Sequence, residues 1–281
     1  EIDYSSLEVV IQAMLTLDPQ MIRDLNNNVD FHCKRLAAKL HKTYDEIKGL
    51  HNAGDEEIAL MRTKIKEFTF QRAYGAGAVA IAASTGMTLE EVKELIEVEE
   101  KMYAGVTEFD NKLEKAIAKS RRPTKQEVYV DKQRLILGIG EWFAPTGTRF
   151  VWKEGIAPEF LWARGKYIGF SPTERKNYPP QGIGGEVVQT MLGLVYRWLL
   201  SRNHFDGRAL LVNTVHDSVY LDLHKSVADK VIPAVKTILE AVPTKYKRDF
   251  NIDIPVPFPC EAESGSSMYH TTHYKEGMYV N

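Results

Sequence analysis

Arg62, Lys66, Phe70 and Tyr74 recur at steps of four within the stretch that runs from Arg62 to Gly75. On an α-helix each step of four turns the stripe by only about 40°, so these side chains share one face over roughly 18 Å. That face presents two cations, then an aromatic ring, then a phenol, with Gly75 and Gly77 just beyond. Cations suit phosphates, and rings further along suit a sugar and a base. The pattern is that of a cradle for a nucleoside triphosphate. The plainer alternative is an amphipathic surface helix whose aromatics pack inward while its cations are solvated. With average residue usage, the string R-x-x-x-K-x-x-x-F-x-x-x-Y-G arises by chance in roughly one chain in ten thousand of this length, which favours the cradle.

Two acidic positions invite a second reading. Ile2-Asp3-Tyr4 reads as the end of a strand that runs into a helix from Leu7 to about Leu17, with Pro19 at the following turn. An aspartate at a strand end makes a good metal ligand, because a rigid element holds it while the carboxylate projects. Taken alone, Asp3 also reads as a helix N-cap or turn residue. Far along the chain, 209–215 and 219–223 read as strands joined at the polar tip His216-Asp217-Ser218, which without chemistry is a plain hairpin turn. Asp30-Phe31-His32 follows an asparagine-rich loop and opens a helix through Leu40. A lone histidine such as His32 is commonly structural or solvated.

The remaining elements must position these groups. A turn at Ala53-Gly54-Asp55 precedes the organising helix, read from Glu56 to Tyr74. Thr88 with Glu91 is a capping box that starts a periodic helix to Tyr103; Gly105 breaks it, and Val106 to Lys119 forms another. From Val128 to about Ile168, strand-like runs alternate with Gly138, Gly140, Pro145, Gly147 and Gly155, a β-hairpin-rich insertion. Pro172 to Gly182 leads into a long apolar-periodic helix, Gly185 to Ser201, with Gln181 readable as a loop residue closing its N-terminus. Val227 to Ala241 is a covering helix, and Ile254 to Phe258 with Glu261 reads as a terminal edge strand.

The 281 residues are 44% hydrophobic with a net charge of −2, a soluble globular composition that allows two units or one large one. Near-neutrality does not argue against nucleic acid, because a basic groove can be offset by acidic outer faces. Cys33 and Cys260 form neither a metal-ligand spacing nor a disulfide framework, so a reducing interior is the simpler expectation. No apolar run approaches the ~18 residues of a membrane span, and no signal peptide is visible. The chain opens on Glu1-Ile2-Asp3 with no initiator Met, which suggests a fragment, a processed chain or a split polypeptide.

Together these stretches resemble family A DNA polymerases, the bacterial polymerase I type also found in many phages. The string from Arg62 to Gly75 is similar to their fingers-helix motif. Asp3, Tyr4, Ser5 and Glu8 match their first palm motif, D-Y-S-x-x-E. Asp30 and His32 match a D-x-H whose histidine reaches the triphosphate. Asn177, Pro179, Gln181 and Gly182 match the Asn, Pro and Q-G that open a helix along the primer–template minor groove. Val215 to Ser218 matches the V-H-D-[E/S] hairpin. The matches cover about 215 residues from Asp3 to Asp217, in the family's order. Departures are visible too. Val9 and Val10 replace the family's usual L-R, Ser218 stands where many relatives have Glu, and Glu186 stands where Asp is common. Gly147-Thr-Arg149 only partly matches a G-R-R step, and Arg175 is offset by two from the family's arginine.

The resemblance implies an α+β fold: a right-hand palm of antiparallel sheet with helices, and mostly helical fingers, with the thumb absent. The palm is expected at 1–25 and 166–281, and the fingers with their β-rich connection at 26–165. It implies template-directed nucleotidyl transfer to a primer 3′-hydroxyl with two Mg²⁺ ions, Mn²⁺ being a substitute. Asp3, Asp217 and the Tyr4 carbonyl are the implied metal ligands, and Lys66 the implied proton donor to the leaving pyrophosphate. Tyr4, Glu8, His32, Arg62, Lys66, Phe70 and Tyr74 are implied to bind the nucleotide; Glu8 would exclude a ribose 2′-hydroxyl. Arg175, Asn177, Gln181 and His216 would contact DNA. The implied partners are primer–template DNA, deoxynucleoside triphosphates and an amino-terminal polymerase segment bearing thumb or exonuclease, with no membrane, in the cytoplasm of a bacterium or phage-infected host. The alternatives are a single-subunit RNA polymerase, against which Glu8 argues, and a catalytically silent nucleic-acid-binding remnant. A bare metal-dependent phosphohydrolase is a remote third.

Overall fold

The computed structural model describes residues 1–73 and 75–279. Its chain packs as two units, one of Glu1–Met14 with Pro180–Asn281 and the other of Leu15–Pro179. The first is built on an antiparallel sheet with strands in the order His270–His273, Cys260–Ser267, Ile2–Tyr4, Ser218–Leu223, Ala209–Val215. Ile2–Tyr4 is only three residues long yet lies in the middle. Alternation puts Ile2 and Tyr4 into the core and leaves Asp3 on the opposite face. The core side is covered by helix Lys225–Glu240, whose buried Val227, Val231, Val235 and Leu239 repeat every four residues. The Tyr4 hydroxyl donates to the Leu239 carbonyl at 2.8 Å, and its ring meets Phe258 edge-on. Helix Leu7–Thr16 follows the short strand, with Leu7 3.6 Å from where a side chain at Gly184 would begin.

Two expectations for this unit change. The segment 254–258 forms no strand; Pro255, Pro257 and Pro259 remove the donors a ladder needs, and pairing starts at Cys260. Because Cys260–Ser267 pairs with both Ile2–Tyr4 and His270–His273, it is also not an edge. The long helix begins at Pro172 and ends at Leu200, so the stretch read as a lead-in is helical. Ile183, Val187, Met191, Val195 and Leu199 form its buried stripe. Pro179 and Pro180 take two N–H donors out of its ladder, and the division between the units falls between them.

The second unit is helical, with a three-stranded antiparallel sheet of Arg122–Val130, Gln133–Phe143 and Arg149–Lys153. Asp131 and Lys132, both at positive φ, form the two-residue tip that suits the twist of its first hairpin. At Gly140 a Cβ would lie 2.5 Å from the Ile117 carbonyl, so only glycine lets this sheet lie against helix Ala104–Lys119. That helix starts before Gly105, and the break falls at Tyr103 instead. Leu36, Ile47, Ile58, Ile65, Phe68, Ile81, Val92 and Leu95 make the helical core. The units divide after Met14 and after Pro179, whereas the sequence reading put the divisions near 25 and 165. Asp18 and Asp24 account for the first difference: Asp18 accepts from Gly105 N–H at 2.8 Å, and Asp24 from the Tyr103 hydroxyl at 2.9 Å.

Removing the buried Tyr4 hydroxyl leaves the Leu239 carbonyl without its donor. Tyr4→Phe is expected to lower stability by about 1–2 kcal/mol, measured by urea denaturation followed by far-ultraviolet circular dichroism.

Candidate active site

The sheet unit brings the two acidic positions together through strand register. Asp3 pairs directly with Ser218, the residue after Asp217. Val215 pairs with Ser218 across the tip, so His216 and Asp217 are the two turn residues. His216 sits at φ +53°, a left-handed conformation uncommon outside glycine, and its ring is exposed. Burial and the charge of Asp3 push the Asp217 carboxyl up from its ordinary range, partly offset by a backbone hydrogen bond and the His216 ring. Glu8, in the first turn of its helix, adds to that push.

Around Asp3 lies a network the sequence reading did not foresee. The Ser218 Oγ is 2.8 Å from Asp3 Oδ1 and 3.0 Å from Glu1 Oε1, and the Tyr220 hydroxyl donates to Glu1 Oε1 at 2.9 Å. The available signal was period-two alternation, which puts Glu1 with Asp3 and Ser218 with Tyr220 on one sheet face.

Among the described residues no group of three or more His, Cys, Asp or Glu is arranged to hold a metal ion. The donor chemistry nonetheless fits Mg²⁺. Asp3 and Asp217 offer hard carboxylate oxygens close enough to repel, and Mg²⁺ is typically held by one or two carboxylates plus waters and substrate phosphates. The Tyr4 phenol is committed to Leu239, so only its backbone carbonyl could join them.

The helical unit carries the cationic stripe on helix Glu56–Ala73. Ile58, Ile65 and Phe68 point into the core, while Phe70 is 46% exposed, so the inward-packing alternative fails for this ring. Lys66 is exposed, its Nζ 5.8 Å from the Phe70 ring centroid. Arg62 bonds Asp30 Oδ2 through Nε at 3.2 Å and Nη2 at 2.9 Å. Asp30 also accepts from Lys48 and caps the next helix through the His32 and Cys33 N–H groups. Burial opposes ionisation of Asp30, but the Cys33 N–H, Arg62 and Lys48 outweigh it and hold the carboxyl well below its ordinary range. His32 is held neutral: burial and the cations Arg35, Arg62 and Lys66 lower it to about 4. Its Nδ1 is buried with no hydrogen-bond partner among the described residues. Gly75, at φ +78°, lies so close to Thr173 that a Cβ would come within 2.7 Å of its Cα, which gives the last residue of the string a packing reason. Tyr74 lies outside the described residues.

The DNA-contact candidates fare differently. Gln181 is exposed and inside helix Pro172–Leu200, not in a loop at its start. Asn177 is half-buried on the same helix. Arg175 is largely buried, with Nη2 3.3 Å from Glu114 Oε2, and its Nε has no hydrogen-bond partner among the described residues. Glu186 accepts from the Tyr246 hydroxyl at 3.2 Å.

The family profile of DNA polymerase family A matches residues 1–270. The chain is 31% identical over 112 residues to the DNA polymerase of Mycobacterium phage D29, covering 40% of this chain and 17% of that protein. It is 22% identical over 252 residues to DNA polymerase I of Bacillus subtilis, covering 88% of this chain and 24% of that protein. Among solved structures it is similar to the POL domain of Pol1 from M. smegmatis in complex with DNA primer-template and dNTP. That match has a TM-score of 0.59 at 17% identity over 92% of this chain and 38% of the other. The α+β architecture is thus that of a family A polymerase domain. The chain spans about a quarter or less of the length of these curated relatives.

The His32 environment has a pH consequence. Its folded value, about 4, lies below the ordinary 6.5, so its stability contribution is complete above 6.5 and is lost as pH falls towards 4. Nuclear magnetic resonance of the ring should give a midpoint near 4 in the free chain, moving upward when a nucleoside triphosphate offsets the surrounding cations. His32→Gln should remove part of the loss of stability on acidification.

Proposed function

The chain belongs to DNA polymerase family A, and from that premise we propose that it catalyses template-directed transfer of deoxynucleotides to a primer 3′-hydroxyl. The observation that carries this reading is the sheet register that sets Asp3 beside Asp217. In the reaction the 3′-hydroxyl gives up its proton to water, its oxygen bonds to the α-phosphorus, the bond from that phosphorus to the β-phosphate bridge breaks, and pyrophosphate leaves. Asp3, Asp217 and the Tyr4 carbonyl would hold two Mg²⁺ ions (or Mn²⁺), which would lower the pKa of the hydroxyl and offset charge on the leaving group.

The chain's own groups have separate tasks. Asp3 and Asp217 supply the negative charge and geometry that hold the cations. Arg62 would exchange Asp30 for a β- or γ-phosphate oxygen, and exposed Lys66 would pair with the same phosphates and give its proton to pyrophosphate. Neutral His32 would donate a hydrogen bond to a phosphate. Phe70, already in solvent, would stack on sugar and base, and Tyr74 would sit beside the template position. Glu8 would stand where a ribose 2′-hydroxyl needs room, and Asn177 and Gln181 would meet minor-groove acceptors shared by all correct pairs. His216 would touch the primer end. For Arg175 to reach DNA it would have to leave Glu114.

The chain covers a quarter or less of the curated relatives' length, and we propose that efficient extension uses an amino-terminal polymerase segment, in cis or in trans. The similarity to bacterial and phage proteins supports work in the cytoplasm of a bacterium or infected host. No helix among the described residues is long and apolar enough to cross a membrane.

Asp3→Asn and Asp217→Asn should each lower single-nucleotide incorporation by about a thousandfold or more, while fluorescence anisotropy shows primer–template binding retained. Incorporation unchanged in both variants overturns the reading. Glu8→Ala should raise ribonucleotide over deoxynucleotide use by about tenfold or more, read from paired primer extensions with the two sugars.

A further inference from the structure

Ser218 is buried, 8% exposed, and its Oγ lies within hydrogen-bond distance of two carboxylates, Asp3 and Glu1. A serine hydroxyl has one proton. It can donate to Asp3 or to Glu1, and its lone pairs then meet the other. Tyr220 does not face that conflict. Its hydroxyl donates to the same Glu1 oxygen and fixes that carboxylate beside Ser218. The strand register pairs 3 with 218 and 2 with 219, and the hydrogen bonds of Ser218 and Tyr220 gather Glu1, Asp3, Ser218 and Tyr220 on one side of that ladder. Two carboxyl groups thus share the single Ser218 hydroxyl proton, with a third acid, Asp217, next in the chain to Ser218.

We propose that Glu1 is a positioning residue for this site: clamped by Tyr220 and Ser218, it orients Asp3 and adds the negative charge that draws divalent cations to the Asp3–Asp217 pair. This rests on the two-aspartate reading above and adds a residue to it. A cation held at Asp3 would offset that carboxylate's charge and leave the Ser218 hydroxyl able to donate to Glu1. In this role Glu1 would touch neither substrate nor reacting atoms, its side chain being bonded to Ser218 and Tyr220. Its effect travels through Ser218 and through space, so it belongs to cation affinity and not to the chemical step.

The test is Mn²⁺ binding to the full chain, read by electron paramagnetic resonance without nucleotide or DNA. Glu1→Gln keeps both hydrogen bonds and removes only the charge; it should weaken Mn²⁺ binding roughly three- to tenfold. In primer extension it should raise the Mn²⁺ concentration for half-maximal rate by the same factor, with kcat at saturating metal within about twofold. Tyr220→Phe should weaken binding less, and combined with Glu1→Gln it should add little, because both act through one carboxylate. Moving the acid across the strand pair, Glu1→Ser with Ser218→Glu, should restore affinity to within about twofold, since the charge stays on the same sheet face. Asp3→Asn is the control. If it weakens Mn²⁺ binding while Glu1→Gln binds like the parent, this inference is overturned and the two-aspartate reading stands. If neither variant changes Mn²⁺ binding, the metal assignment falls, and this inference with it.

Discussion

The structure depends first on three residues, Ile2–Tyr4, being held in the centre of an antiparallel sheet by strands more than two hundred positions away. A strand so short has little stability of its own. Ile2 and Tyr4 anchor it by burial, and the Tyr4 hydroxyl ties it to the helix beneath. That anchoring fixes the register, and the register decides which face Asp3 occupies. A slip of one residue would bury Asp3 and expose Ile2 and Tyr4. The apolar side of the sheet therefore enforces the closeness of like charges on its other side, which no local preference would produce.

The helical unit handles charge in the opposite manner. Its cations are accompanied by a fixed counter-charge, Asp30, which is paired to Arg62 and Lys48 and bonded to the first N–H groups of the next helix. His32 is kept uncharged first by its burial and then by the cations around it. Asp3 is held by backbone pairing and Asp217 by the two-residue turn between paired strands, so both have little freedom. Arg62 and Lys66 are long side chains on a helix and can follow a polyanion as it binds. Under the proposed function, rigid acids and adaptable cations would suit a reaction in which metal geometry is strict and the triphosphate arrives from solution.

What could be read from sequence follows the range of the interactions. Helix Leu7–Thr16, the capping box at Thr88 and the outward stripe Arg62–Lys66–Phe70 are local features, and local spacing is enough to find them. The choice of Phe68 for the core and Phe70 for solvent follows from the phase set by Ile58 and Ile65. The Glu1–Ser218–Tyr220 network was hidden because it needs a register between segments some 220 residues apart, and neither strand states that register by itself. The strand at Cys260–Ser267 was placed too early, at 254–258 with Glu261, for a related reason: its alternation is confined to Cys260–Glu263, the rest is the small polar run Ser264–Ser267, and its partners make that part a strand. Helix Pro172–Leu200 was read too short because Pro179 and Pro180 oppose local helix formation, and the buried stripe from Ile183 onward evidently prevails.

The tip of the 209–223 hairpin shows how that hierarchy reaches the site. A left-handed His216 costs on the order of 1 kcal/mol or more, and a glycine there would relax it. The strain persists because both flanking strands are held in place: Val215 pairs with Ser218 across the turn, and Ser218 pairs with Asp3 on the far side. With φ positive at His216 and not at Asp217, the two successive turn residues differ in exposure, the ring in solvent and the carboxylate half-buried beside Asp3. A relaxed turn would lose that separation of roles. The local backbone cost and the acid–acid repulsion are thus both consequences of one buried contact set, the packing of Ile2 and Tyr4 against the core, and the charged face exists only because the apolar face does.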